Sequence, residues 1–431
     1  MTIDIHDIED IIRQQENWRQ TQTINLIASE NTPSDAVRRV QNSDFMGRYA
    51  EGHPNEGGHV NRYYQGTQYI DQIERMAEHE LLDLFAAQQA DVRPISGNAA
   101  NTALALSVLR GGDTVIANST DAGGHISHGA VGVFGRRIQS RGQSLKVGGD
   151  NGIHLHYLPL TEDRYHVDAQ KTIELVDQLH PQLVILGKSL FLFPEPVSEI
   201  AAFCKTKEIP VLYDAAHVLG LIAGGQFQSP LKEGATWMTG STHKTFPGPQ
   251  RGIILANLTD AAMIKKYWQP ADRGVFPGSS SNHHLNTLPA LVVAIREMER
   301  YGHAYAAQIV RNAQALGRSL DGLGTPVEAR EFGYTQSHMI AVNVAEWGGG
   351  VEVAKRLEES DIILNYNMLP GDADPRNPSG LRIGVSEMTR FGMDEQGMGE
   401  LAQFIHDSVR GKNVKAQVNA FRARYTEMKY V

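Results

Sequence analysis

Asp214 and Lys244 are the residues of this chain whose types and spacing point most directly to a reaction. Lys244 stands in Ser241-Thr242-His243-Lys244-Thr245-Phe246-Pro247-Gly248-Pro249, where small and hydroxyl residues surround one amine and Gly248 with two prolines forces a turn. The turn follows the apolar run Ala235-Thr236-Trp237-Met238, which reads as a strand end. A lysine fixed there and removed from water loses part of its preference for the charged form, and its amine becomes available for a Schiff base. A phosphate loop is excluded, because that motif needs glycine directly before the lysine and His243 occupies the place. Asp214 closes the run Val211-Leu212-Tyr213-Asp214. Alone, such an acid serves equally well as a helix N-cap. Paired with a Schiff-base lysine it meets the requirement of pyridoxal phosphate, whose ring nitrogen must stay protonated if the ring is to take up electrons.

Three further groups suit that cofactor. Ser96-Gly97-Asn98-Ala99 comes immediately before a helical pattern over residues 98–109. The N–H groups of a helix start bind phosphate where no bulky side chain intervenes, although Ser-Gly also opens many ordinary helices. Gly123-Gly124-His125-Ile126-Ser127-His128 is a glycine turn with two histidines. A metal reading would add His154 and His156, but the set lacks cysteine and any helical His-Glu-x-x-His pattern. Stacking of His125 on a flat cofactor is the better use, and no metal is expected. Arg382 lies inside the strand-like run Ser379-Gly380-Leu381-Arg382-Ile383-Gly384 and needs an acidic partner. A substrate carboxylate suits its bidentate fork, and an internal ion pair suits it equally.

Positioning these residues calls for an α/β architecture. Thr114–Ala117, Leu183–Leu186, Val211–Tyr213 and Gly252–Leu255 read as strands, and residues 98–109 and 196–207 as helices between them. Continuous apolar strands with helical crossovers predict a mostly parallel sheet covered on both faces, with ligands at the strands' carboxyl ends. Residues 5–20 and 71–85 read as amphipathic helices, the second with Asp71 as its N-cap. Glu51 to Arg62 has turn chemistry and no period. After about residue 280 a long helical stretch, 288–320, carries one turn candidate at Tyr301-Gly302, and shorter α/β units follow. A hydrophobic content of 41% and a charged content of 21% fit a globular chain with a full core. The net charge of −9 argues against nucleic acid and anionic membranes. One cysteine, Cys204, fits a reducing compartment, and no apolar run reaches the roughly 18 residues of a membrane span. A cytoplasmic protein is expected.

With these residues in view, the chain resembles the serine hydroxymethyltransferase family, and its archaeal-type branch more than the usual bacterial one. The specific pieces are Leu26-Ile27-Ala28-Ser29-Glu30-Asn31, Arg48-Tyr49-Ala50-Glu51-Gly52, Arg62-Tyr63-Tyr64-Gln65-Gly66, Gly123-Gly124-His125, Tyr213-Asp214-Ala215-Ala216-His217-Val218, Thr242-His243-Lys244-Thr245 and Phe276-Pro277-Gly278. The resemblance implies a fold-type-I pyridoxal-phosphate transferase working as a homodimer. It implies an N-terminal arm (1–35), a large cofactor-binding domain (36–280) and a small C-terminal α/β domain (281–431). Lys244 would hold the cofactor, Asp214 would pair with its ring nitrogen and His125 would stack on the ring. Ser189 and His217 would lie by the phenolic oxygen. Ser96, Gly97, Asn98 and His243 would surround the phosphate, with Gly278 reaching in from a neighbouring subunit. Ser29, Tyr64 and Arg382 would hold the amino-acid carboxylate. Glu51 would move protons at the substrate hydroxyl with Tyr49 beside it, and Asn367 matches a position near a pterin ring.

The implied reaction interconverts serine and glycine, passing a one-carbon unit to a reduced pterin such as tetrahydrofolate. Three departures bear on the acceptor. Gln250-Arg251-Gly252 stands where the family has an arginine and two glycines, the Pro54–Asn61 loop is longer than the family's glycine-lysine turn, and Thr120 replaces an apolar pterin contact. They keep open a β-hydroxy-amino-acid aldolase or threonine transaldolase, and a transferase acting on an α-methyl amino acid. Lys244, Asp214 and Glu51 together argue against a non-catalytic scaffold.

Overall fold

The apolar runs expected as strands form the middle of a seven-stranded sheet in the computed structural model, which describes residues 5–130, 132–136 and 152–431. In spatial order the strands are Gln89–Asp91, Gly252–Ala256, Trp237–Ser241, Val211–Asp214, Leu183–Leu186, Thr114–Ala117 and His154–Tyr157. Pairing is parallel from Trp237–Ser241 across to His154–Tyr157, while Gly252–Ala256 runs antiparallel to both of its neighbours. Every residue of the four central strands from Gly252–Ala256 to Leu183–Leu186 is buried, which explains their lack of polar alternation. The fold is α/β with a mostly parallel sheet. Because the parallel strands share one direction, Ala117, Leu186, Asp214 and Ser241 all end at the same edge.

The chain divides into two compact units, one made of Pro33–Ala306 and the other of Met1–Thr32 with Ala307–Val431. The first holds the seven-stranded sheet. The second holds a three-stranded antiparallel sheet, Asn365–Asn367, Gly380–Gly384 and Met339–Asn343, and a short parallel pair between Ile24–Asn25 and Ile362–Ile363. Among the described residues no helix is long and apolar enough to cross a membrane.

Two helix expectations are corrected. The helix Gln68–Phe85 begins after Thr67, so Asp71 is not its cap. Asp71 instead turns inward and pairs with the buried Arg62 at 2.9 Å, a use of an acid that local sequence cannot distinguish from capping. Gly302 does not break its helix, which runs unbroken over Thr287–Gly322. Its lack of a side chain permits close packing: a Cβ there would come within 2.8 Å of Met298 Cε and 3.7 Å of Gly224 Cα. Cys204 is buried on the helix Val197–Thr206, and burial pushes its thiol up to about 12, as suits a packing role.

Candidate active site

The shared strand edge gathers the first group of predicted residues. Asp214 ends its strand with 6% exposure. One carboxylate oxygen accepts from Asn101 Nδ2 at 2.8 Å and from His128 Nε2 at 2.9 Å, and the other accepts the Ala216 N–H at 3.0 Å. Burial by itself favours the protonated acid. The His128 hydrogen bond and charge, the His125 charge and the Ala216 N–H outweigh it and hold the carboxyl well below the usual range. Asn101 is oriented in turn by Thr239, whose hydroxyl donates to Asn101 Oδ1 at 2.8 Å.

Lys244 follows the strand Trp237–Ser241 on a turn closed by Thr242 Oγ1, which donates to the Pro249 carbonyl at 2.6 Å. The next residue, Thr245, donates to the His217 carbonyl at 2.8 Å and accepts the Gly220 N–H at 3.0 Å. These bonds tie the lysine turn to the segment that follows Asp214. His243 is pushed down to about 4, first by burial and then by the Lys244 charge. Among the described residues its buried Nδ1 has no hydrogen-bond partner. Ser96 caps the helix Gly97–Val108 by accepting the Ala99 N–H at 3.1 Å, and Asn98 is exposed on the first turn. A Cβ on Gly97 would sit 2.4 Å from Ser241 Oγ, so glycine lets this helix start reach the end of the lysine strand. Across the site the Gly123 carbonyl accepts the N–H groups of Ser189 and Leu190 at 2.6 and 3.0 Å, setting Ser189 beside the histidine turn. His125 is pinned by Ser127, 2.7 Å from its hydroxyl, and meets the His128 ring edge-on at 5.9 Å. The residues present fit pyridoxal phosphate. An ionised buried acid, an orphaned imidazole nitrogen beside the lysine and a helix start kept open by glycine supply partners for a ring nitrogen and a phosphate.

Tyr49, Glu51, Tyr64 and Gly278 belong to a second group, on other segments of the same unit. The Tyr49 and Tyr64 rings lie 5.1 Å apart. Desolvation first, and then the Glu51 charge, raises the Tyr64 phenol. Ser281, three residues after Gly278, donates to the Glu51 carboxylate. Gly52 takes φ +92°, and a Cβ there would meet the Asn61 carbonyl oxygen at 2.3 Å, so the turn beside Glu51 requires glycine. The Pro54–Asn61 loop is held by Asn55, whose Oδ1 accepts the N–H groups of Asn61 and Arg62 at 2.8 and 3.1 Å.

In the other unit, Arg382 lies on the strand Gly380–Gly384 opposite Asn365, whose Oδ1 accepts from its Nε at 3.2 Å. Burial pushes the guanidinium down to about 10. The Gly384 N–H donates to the Leu26 carbonyl at 2.8 Å, and a Cβ on Gly384 would meet Ala28 Cα at 2.4 Å. The segment leading to Ser29 therefore lies against the end of the Arg382 strand. Asn367 sits opposite Gly380 in the same sheet.

The model of the serine hydroxymethyltransferase family matches residues 2–405. The chain belongs to the serine hydroxymethyltransferase family. It is 43% identical to a serine hydroxymethyltransferase of Pyrobaculum arsenaticum over 99% of this chain and 94% of that protein. It is 44% identical to one of Pyrococcus abyssi over 97% of this chain and 95% of that protein. Among solved structures it is similar to the L-threonine transaldolase from Pseudomonas fluorescens in its internal aldimine state. There the TM-score is 0.86 at 29% identity, covering 99% of this chain and 93% of the other. The architecture is accordingly fold type I, as the resemblance implied.

In this serine hydroxymethyltransferase family member, three positions at the site escaped the sequence reading of cofactor and substrate contacts. His128 was weighed only as a metal ligand, although its place in the same glycine turn as His125 was a usable signal. Asn101 and Ser281 carried none, since an asparagine within a helix and a serine in a loop are ordinary residues. Among the described residues no group of three or more His, Cys, Asp or Glu is placed to hold a metal ion. His154 and His156 lie on the edge strand of the sheet.

Proposed function

We propose that the chain is a pyridoxal-phosphate-dependent serine hydroxymethyltransferase that interconverts serine and glycine with a tetrahydrofolate-like pterin as one-carbon carrier. The observation that carries this reading is the buried, ionised Asp214, clamped by His128 and Asn101 on the strand next to that of Lys244. Pyridoxal phosphate, when bound, supplies an aldehyde for an amine and a ring that draws electrons from the amino acid's Cα. Lys244 would hold the aldehyde. Asp214 would keep the proton on the ring nitrogen, His125 would cover the ring, and Ser189 with His217 would serve the phenolic oxygen. Ser96, Gly97, Asn98 and His243 would receive the phosphate. Arg382, Ser29 and Tyr64 hold the substrate carboxylate. Glu51, beside Tyr49, takes the proton of the serine hydroxyl as the Cα–Cβ bond breaks, and returns it in the reverse direction. The pterin lies toward Asn367. A homodimer, with Gly278 entering the neighbouring site, and a cytoplasmic setting complete the reading.

Borohydride reduction of the purified protein tests the cofactor assignment. It should fix the cofactor on Lys244, and label on another lysine or none at all would sink it. Serine cleavage with and without tetrahydrofolate tests the reaction. The transaldolase neighbour and the longer Pro54–Asn61 loop favour threonine transaldolase as the second reading. Pterin-independent turnover of threonine exceeding that of serine would select it.

Arg382→Lys should weaken serine and glycine binding by on the order of 2–4 kcal/mol while leaving cofactor content unchanged, because a lysine cannot make two parallel bonds to a carboxylate. Unaltered amino-acid affinity in the cofactor-loaded variant would remove Arg382 from the carboxylate site.

A further inference from the structure

The residues after Gly278 hold Glu51 from three sides. Ser281 Oγ donates to the Glu51 carboxylate itself. Asn282 Oδ1 accepts the Ala50 N–H at 3.0 Å, and its Nδ2 donates to the Arg48 carbonyl at 2.8 Å. His283 lies with Nε2 3.3 Å from Glu74 Oε2. The same Glu74 oxygen accepts from Arg62 Nη2 at 2.8 Å. Arg62 Nη1 then donates to the carbonyls of Ala50 and Gly52, at 2.5 and 2.9 Å, the two residues that flank Glu51. At its other end the relay reaches the strand after the Lys244 turn. Arg251, fully buried, donates to His283 Nδ1. An arginine can only donate, so Nδ1 accepts and a neutral ring carries its proton on Nε2, facing Glu74.

We infer that Ser281-Asn282-His283 is a positioning element for Glu51, with Ser281 orienting the carboxylate and the His283–Glu74–Arg62 relay fixing the backbone on either side of it. The inference rests on the assignment of Glu51 as the group that moves the hydroxyl proton. A serine hydroxyl suits such a partner, because it donates to a carboxylate and, after rotation, accepts from a carboxylic acid. It supports Glu51 with and without the proton that Glu51 must carry in turn. Backbone clamps on both flanks keep the side chain from swinging away while that proton moves. Ser281, Asn282 and His283 act through Glu51 and touch no reacting atom.

The test compares two reactions of the holoenzyme. Serine cleavage needs a proton moved at the substrate hydroxyl, whereas exchange of the glycine α-proton with solvent involves no hydroxyl. Ser281→Ala should lower kcat for serine cleavage about ten- to hundredfold, as expected when a catalytic group is displaced by about 1 Å. The KM for serine and the rate of glycine exchange should stay within about threefold. Ser281→Thr, which keeps the hydroxyl, should restore most of the loss, and Asn282→Ala should show the same selective pattern. Equal losses in both reactions, or unchanged serine cleavage in Ser281→Ala, would overturn the inference. Glu51→Gln separates the two levels. If it abolishes serine cleavage while Ser281→Ala does nothing, the positioning role fails and the assignment of Glu51 stands. If Glu51→Gln cleaves serine normally, that assignment fails and the positioning role falls with it.

Discussion

Asp214→Asn should lower kcat for serine cleavage about a thousandfold at saturating pyridoxal phosphate. The substitution keeps the size of the side chain and removes its charge. A unit charge about 4 Å from a protonated ring nitrogen, at an effective dielectric constant of about 20, interacts by about 4 kcal/mol. Each 1.36 kcal/mol lost from the barrier is about tenfold in rate, which gives about three decades. Solution pH cannot supply the same change, because His128, His125 and the Ala216 N–H keep the carboxyl ionised throughout the working range. Steady-state kinetics on a variant with cofactor content measured by absorbance checks this. A fall of less than about tenfold would show that the ring does not depend on this acid.

Arg62→Ala should destabilise the unit that contains the large sheet by about 3–5 kcal/mol. Arg62 has no exposed side-chain surface, and neither has Glu74, while Asp71 has 4%. Truncating the arginine leaves two acids in the interior without the guanidinium that serves both. The effect should depend on pH with a defined sign. Burial pushes the Glu74 carboxyl up, but the His283 Nε2–H facing it at 3.3 Å and the charge and hydrogen bond of Arg62 outweigh it and hold the group at about 2, below its ordinary 4.5. A depressed carboxyl contributes stability that is fully present above the unfolded value and is lost as the pH falls through the folded one. The gap between parent and variant should therefore narrow between pH 4.5 and about 2. Urea midpoints measured across that window test both claims, and a constant gap would assign the loss to packing alone.

The parts of the fold that could be read from sequence were those where burial leaves no alternative pattern. Thr114–Ala117 and Leu183–Leu186 are apolar because both faces of the sheet are covered there. Gln89–Asp91 and His154–Tyr157 went unread because each is an edge strand and only partly buried. The site divides in the same way. Asp214 and Lys244 stand at strand ends, where local pattern reveals them. The donors that hold Asp214 ionised lie 113 and 86 positions away, at Asn101 and His128, and only folding brings them together. The relay behind Glu51 left still less trace, since a buried Arg62 has the same sequence signature as a solvated one.

The parallel pairing of Ile24–Asn25 with Ile362–Ile363 sets an order of assembly. The indole of Trp18 donates to Asp361, 343 positions further along the chain. At 5–20 residues per second a ribosome needs roughly 20–70 s to cover that distance. Throughout that interval Ile24 and Leu26, which are fully buried in the finished molecule, have no strand to lie against. The Pro33–Ala306 unit is translated before the Ile362–Ile363 strand exists, so its sheet can close while the amino-terminal segment is still waiting. The segment leading to Ser29 is then the last part of its unit to find its place, because the Arg382 strand it lies against is made more than 350 residues later.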